Sequence, residues 1–172
     1  IGNGLRAWEG QEYGGWGGRR REMTADERQA GFTAPYAMRG SKDPVLPDFV
    51  PAVQNSFAAR MAWSTTPDYA EVNHEPQVKG PITLSAKPGK TLKLKVSASD
   101  PDGDTLTCGW AQWKVDGSFL GDVVFSDSSV SSTSVTIPSD AAPGDVIHLV
   151  LTVSDSGTPQ FTTYLRTIVT VK

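Results

Sequence analysis

From about residue 82 onward the chain alternates. Leu92, Leu94, Val96 and Ala98 interleave with Lys93 and Lys95; Ile147, Leu149, Leu151 and Val153 share one parity, as do Leu165, Thr167, Val169 and Val171. Successive strand residues point to opposite faces, so this period of two marks half-buried antiparallel strands. Turn signals punctuate them: Lys87-Pro-Gly, Asp100-Pro-Asp-Gly, Asp116-Gly, Ala142-Pro-Gly and Ser156-Gly-Thr-Pro. The pattern predicts short strands near 82–86, 91–99, 105–115, 122–126, 133–137, 145–154 and 161–172. Seven strands so spaced over about a hundred residues read as a β-sandwich.

Residues 1–73 have another character, rich in Gly, Arg, Trp and Pro with little alternation. One helix is predicted, at about 48–63 in "LPDFVPAVQNSFAARMAWS". Asp48 can cap it, Pro51 is tolerable in its first turn, and Phe49, Val53, Phe57 and Met61 recur at helical spacing. That stripe reads as packing. "GQEYGGWGGRRREM" reads as loop, since each glycine inside a helix costs about 1 kcal/mol relative to Ala. The segment 73–78, "NHEPQV", reads as a linker, with His74 solvated rather than a metal ligand, because no second histidine or carboxylate pair stands nearby at metal spacing. The expected organisation is mainly β: a loop-rich segment with one helix over 1–73, then an immunoglobulin-like β-sandwich over 74–172.

Charge and composition narrow the function. With 16 Lys+Arg against 19 Asp+Glu the chain is weakly acidic, and nucleic acid is not expected as a partner. Arg19, Arg20 and Arg21 are the one dense basic run, and a solvated turn accounts for them. One cysteine, Cys108, excludes an intrachain disulfide. No run of about 18 apolar residues is present, so no membrane span is expected. The chain starts at Ile1 without a signal-peptide pattern, which reads as a processed or excised piece of something longer.

Candidate chemistry concentrates in "SASDPDGDTLTCGWAQW". In an immunoglobulin-like sandwich the loops holding Asp100, Asp102 and Asp104 and holding Asp155 share one pole. Four converging carboxylates repel unless a cation, hydrogen bonds or water offset them. Calcium, which takes six to eight oxygens in flexible geometry, is the one cofactor these residues would suit. The loop is not an EF-hand, because Thr105 and Ala111 stand where that motif needs Gly and Glu. A turn whose aspartates bond local amides and whose Gly103 takes positive φ is the competing reading. Trp110 shares a parity with Leu106 and Cys108 and is expected in the core; Trp113 faces the other way, to stack on a sugar, meet a partner or pack against the first half.

Independent catalysis is not expected. His74 and His148 accompany no nucleophile elbow, and His148 falls on the outward parity of its strand. Glu9 and Glu12 lie beside Trp8, Tyr13 and Trp16 in what resembles a sugar-facing loop, but spacing alone does not make a carboxylate cleft. As a binding module the chain would stack sugars on Tyr13, Trp16 and Trp113 and hold hydroxyls with Glu12 and Arg19.

"SASDPDGDTLTCGW" followed by "PGDVIHLVLTVSDSG" resembles PKD-like and cadherin-like bacterial immunoglobulin modules. With "WEGQEYGGWGGRR", "PAVQNSFAARMAW" and "NHEP", nearly the whole chain is similar to the C-terminal part of a bacterial family of cellulose-binding proteins whose N-terminal domain is nucleoside-hydrolase-like. The resemblance implies that residues 1–73 close that domain and that the sandwich is its accessory. It further implies a secreted or periplasmic protein handling cellulose or a related glycan, with any N-glycosyl or glycosyl hydrolysis residing upstream. The DxDxxxDD cluster by which nucleoside hydrolases hold calcium is absent from this sequence. The alternative role is a spacer or dimerisation module completing that upstream active site.

Overall fold

The computed structural model describes residues 4–14, 20–22, 24–30, 36–38 and 49–172. In the first part a 3-10 turn at Gln11–Tyr13 precedes β1 (Arg20–Glu22), α1 (Ala25–Gln29) and β2 (Tyr36–Met38), with β1 and β2 antiparallel. Helix α2 (Val50–Thr65) and a second 3-10 turn, Tyr69–Glu71, follow. Pro51 sits in the first turn of α2, as expected; Asp48 lies outside the described residues.

Nine strands then build two layers: β3 (Gln77–Lys79), β4 (Thr83–Ala86), β5 (Thr91–Leu94), β6 (Ser97–Ser99), β7 (Thr107–Gln112), β8 (Val124–Phe125), β9 (Thr133–Thr136), β10 (Val146–Ser154) and β11 (Thr162–Val171). One sheet has the order β4-β11-β10-β7, with β4 parallel to β11 and the other pairs antiparallel. The opposite layer is β5-β9-β8, continued by β3-β6. The predicted strand over 91–99 is therefore broken at Lys95-Val96. There the Ser132 hydroxyl accepts from the Val96 amide at 2.9 Å and donates to its carbonyl at 2.8 Å, replacing the missing backbone rungs. The fold class is the one the alternation predicts: mainly β, a two-layer sandwich led by a loop-rich segment with a helix.

The predicted core parity fills the space between the layers. Leu94, Val135, Ile137, Ile147, Leu149, Leu151, Val153 and Val169 are fully buried in one cluster. Each such side chain stabilises the fold by about 1.5–3 kcal/mol relative to exposure. Trp110 is buried there too, stacked 6.0 Å from Phe125 with its indole N–H donating to the Ser131 carbonyl. Cys108 is half-buried at the edge of the cluster, and burial pushes its thiol up.

Three expectations are corrected. The outward parity of β10 and β11 is not solvent-facing, because residues 4–14 and the start of α2 cover it. His148 is 1% exposed, and Leu5, Phe49, Trp113, Val150 and Tyr164 form a second buried cluster. The segment 73–78 is not a free linker, since Gln77–Lys79 pairs with β6, Asn73 and Pro76 are buried, and His74 is held as described below. The expected helix stripe is also only half right. Phe49 and Val53 pack on the second cluster, but Phe57 and Met61 are exposed. A step of four residues overshoots a turn by about 40°, so Met61 lies about 120° around the helix from Phe49. The packed face instead runs through Phe49, Ser56, Ala59 and Trp63.

Candidate functional site

Arg166 fastens the first segment to the sheet. It projects from the outer face of β11 and is fully buried. Its Nε donates to the Leu5 carbonyl at 2.9 Å and Nη2 to the Tyr13 carbonyl at 2.7 Å, while Nη1 pairs with Asp116 Oδ2 at 3.0 Å and meets His148 Nδ1 at 2.8 Å. A guanidinium only donates, so His148 Nδ1 accepts and its ring proton sits on Nε2. The Tyr13 and Trp113 rings lie 4.5 and 4.9 Å from the guanidinium carbon. Tyr13 also meets His148 edge-on. Gly4 runs against β11 so closely that a Cβ there would fall 1.6 Å from the Tyr164 carbonyl oxygen.

That anchoring positions a turn at Arg6–Glu9. The Glu9 amide donates to the Arg6 carbonyl at 3.0 Å, and Arg6 takes a left-handed φ of 61°, uncommon for a residue with a side chain. Its buried guanidinium donates to Glu9 through Nε at 3.0 Å and Nη2 at 2.5 Å, and through Nη1 to the Ile82 carbonyl. The hydrogen bonds from Arg6 are the main cause that holds the Glu9 carboxyl below its ordinary value; the Trp8 side chain adds a smaller one. Trp8 itself is 70% exposed. Beside it opens a cleft of about 400 Å³ between this turn, β3 and the start of β11. Tyr164, in its wall, has its hydroxyl pushed up to about 12 by burial.

The aspartate loop lies at the pole where the sequence places it. Asp100 Oδ1 accepts the amides of Asp102 and Asp104 at 2.8 and 3.2 Å, and Gly103 has φ +83°. Asp102 receives the His74 amide at 2.7 Å and contacts its Nδ1 at 3.0 Å; Asp104 accepts the Ser156 hydroxyl at 2.9 Å. His74, expected solvated, is stacked 3.6 Å from Tyr69 and 5.4 Å from Trp63. Oxygens of Asp100, Asp102 and Asp104 come within 4.8 Å of one another.

Asp155 stands apart from that trio, held by Asn73 Nδ2 at 3.1 Å and by the amides of Gly157 and Phe161. Burial is the main cause that pushes its carboxyl up, and the charge of Asp100 adds to it, against those hydrogen bonds. Two buried oxygens here, Asn73 Oδ1 and Asp100 Oδ2, have no hydrogen-bond partner.

Among the described residues, the sugar-binding candidates Glu12, Tyr13 and Trp113 do not gather into one surface. Trp113 is 2% exposed, under Phe49 and Tyr164, and offers no face to a sugar. Tyr13 is spent on Arg166 and His148, and Glu12 is exposed on the same 3-10 turn. Trp16 and Arg19 lie outside the described residues. The sequence puts Trp8 beside Glu9, Glu12, Tyr13 and Trp16 in what resembles a sugar-facing loop, but the cleft itself is not legible there, because its other wall lies some 70 residues away.

Residues 91–171 match the family model of the cellulose-binding protein Sde0182, C-terminal domain. Twelve solved chains match. One, a nucleoside hydrolase-related protein of Saccharophagus degradans associated with carbohydrate metabolism, is 32% identical with a TM-score of 0.80 over 99% of this chain. This chain spans 45% of the length of that neighbour. No curated protein matches. The resemblance drawn from the sequence is thereby shown as a likeness: residues 91–171 match the C-terminal domain model of that cellulose-binding family, and almost the whole chain is similar to the neighbour.

Proposed function

We propose, on the premise of that family, that the chain is a non-catalytic accessory region of a larger nucleoside-hydrolase-like protein and holds it on cellulose or a related glycan. The match over residues 91–171 carries this reading. The likeness of almost the whole chain to less than half of a hydrolase-related protein supports the accessory role and an upstream domain as partner. On this proposal residues 1–73 close the upstream domain and 74–172 form the appended sandwich. An insoluble polymer does not enter a cell, so the proposal also places the protein outside the cytoplasm. Depletion of the purified chain by insoluble cellulose is the test, and failure to sediment with the polymer overturns it.

One observation favours the spacer alternative. The outer face of the β4-β11-β10-β7 sheet is closed by residues 4–14 through Arg166, which joins the two parts rigidly. A rigid joint is what orienting an upstream domain requires, and small-angle scattering of a longer form would show a single fixed shape.

The aspartate pole fits calcium by donor chemistry, since three carboxylates converge there and one of their oxygens, the buried Asp100 Oδ2, has no hydrogen-bond partner among the described residues. Asp100, Asp102 and Asp104 would hold the ion. It would offset the mutual repulsion of the carboxylates and fix the loop that receives the His74 amide. A melting temperature that rises with calcium concentration tests this.

A further inference from the structure

We infer that the cleft beside Trp8 is the glycan subsite of this chain, taking one run of a neutral pyranose polymer such as a β-linked glucan. The inference rests on the polysaccharide-binding reading above and assigns it a place.

Sugar rings present flat C–H faces with hydroxyls at their edges, so a sugar site pairs an exposed aromatic plane with polar side chains around it. Trp8 supplies the plane. It is the most exposed described tryptophan, whereas Trp110 and Trp113 are buried and Trp63 is stacked on His74 and Phe161. Its position is built rather than incidental. The turn that presents it is closed by the Arg6 carbonyl, locked by the Arg6–Glu9 pair, and tied through Arg6 to Ile82 on the far wall. A turn already fixed in the free chain loses little backbone freedom on binding, which raises the affinity of a site otherwise short of contacts.

The polar groups stand opposite. Gln77 and Lys79 line the cleft from β3, and Thr163 from β11. Together they provide amide, ammonium and hydroxyl groups for ring hydroxyls. Arg6 and Glu9 neutralise each other, leaving Lys79 as the one cation of the lining without an ion pair among the described residues. That balance suits a neutral, hydroxyl-rich ligand better than a polyanion. The cleft, about 400 Å³ and partly walled by exposed Ile82, is of the size of a small-ligand site.

The test compares the native chain with Trp8→Ala, Trp8→Phe and Glu9→Gln in two assays: depletion by insoluble cellulose, and titration with soluble cello-oligosaccharide read by protection of tryptophan emission from an aqueous quencher. Trp8→Ala is expected to weaken binding roughly tenfold to a hundredfold and to abolish the protection, while Trp8→Phe recovers most of the affinity. Glu9→Gln, which loosens the turn without removing the ring, falls between them. Trp8 is exposed, so unchanged circular dichroism of Trp8→Ala separates lost binding from lost fold.

If native chain and Trp8→Ala bind cellulose equally, the subsite is overturned and the polysaccharide reading stands. If native chain ignores insoluble cellulose but oligosaccharide protects Trp8, the subsite stands and the cellulose-anchoring reading fails. Binding in neither assay overturns both.

Discussion

Arg166 donates through Nη2 to the backbone oxygen of Tyr13 at 2.7 Å and lies 4.5 Å from the centre of the same residue's ring. One buried cation thus holds both the chain path and the side chain of a residue 153 positions away. Removing it breaks a fully buried ion pair with Asp116, which typically costs about 3–5 kcal/mol. Arg166→Met is therefore expected to lose stability of that order in urea unfolding and to expose residues 4–14 to proteases.

Gly4 makes an independent test of the same docking. A methyl group would collide with the Tyr164 carbonyl, and the φ of +85° is strained for any residue with a Cβ. Gly4→Ala is expected to loosen residues 4–14 from β11 while the sandwich core stays intact. Amide exchange reads both: Arg166 N–H, which donates to the Gly4 carbonyl, loses protection, and the β10-β7 amides keep theirs.

Tyr164 gives the stability an alkaline edge. Its hydroxyl ionises at about 12 in the folded chain against 10.0 for the free group, because burial disfavours the phenolate. Below about 10 the phenol is neutral in both states; above it the unfolded chain releases its proton first, so stability falls as pH rises toward about 12. Urea midpoints measured across that window should drop more steeply for the native chain than for Tyr164→Phe.

Calcium should raise the melting temperature of the native chain, and Asp100→Asn or Asp104→Asn should remove most of the rise. A melting temperature indifferent to calcium and chelator would mean that the hydrogen bonds of His74, Ser156 and the loop amides hold the pole unaided.

The sandwich was legible because its signal is local. The parity of Ile147, Leu149, Leu151 and Val153 is the core parity, Trp110 is inside, and predicted strand limits fall within a few residues of the observed ones. What escaped the sequence depends on partners distant along the chain. His148 reads as outward because its strand alternates, yet a segment 135 or more residues earlier covers it. Gln77–Lys79 is too short for alternation to register, so β3 reads as linker. The subsite escaped for the same reason, since Trp8 gains its cleft only where β3 and β11 come alongside.

The bond from Arg166 to the Leu5 carbonyl spans 161 positions, which sets an order of events during synthesis. Residues 4–14 leave the ribosome well before the strands they cover, β10 and β11. Until those strands are made this stretch has nowhere to dock, so Leu5 and Trp8 stay available to chaperones or to other nascent chains. The outer face of β10 closes only once β11 has brought Arg166 within reach, so residues 4–14 settle after strands made long after them.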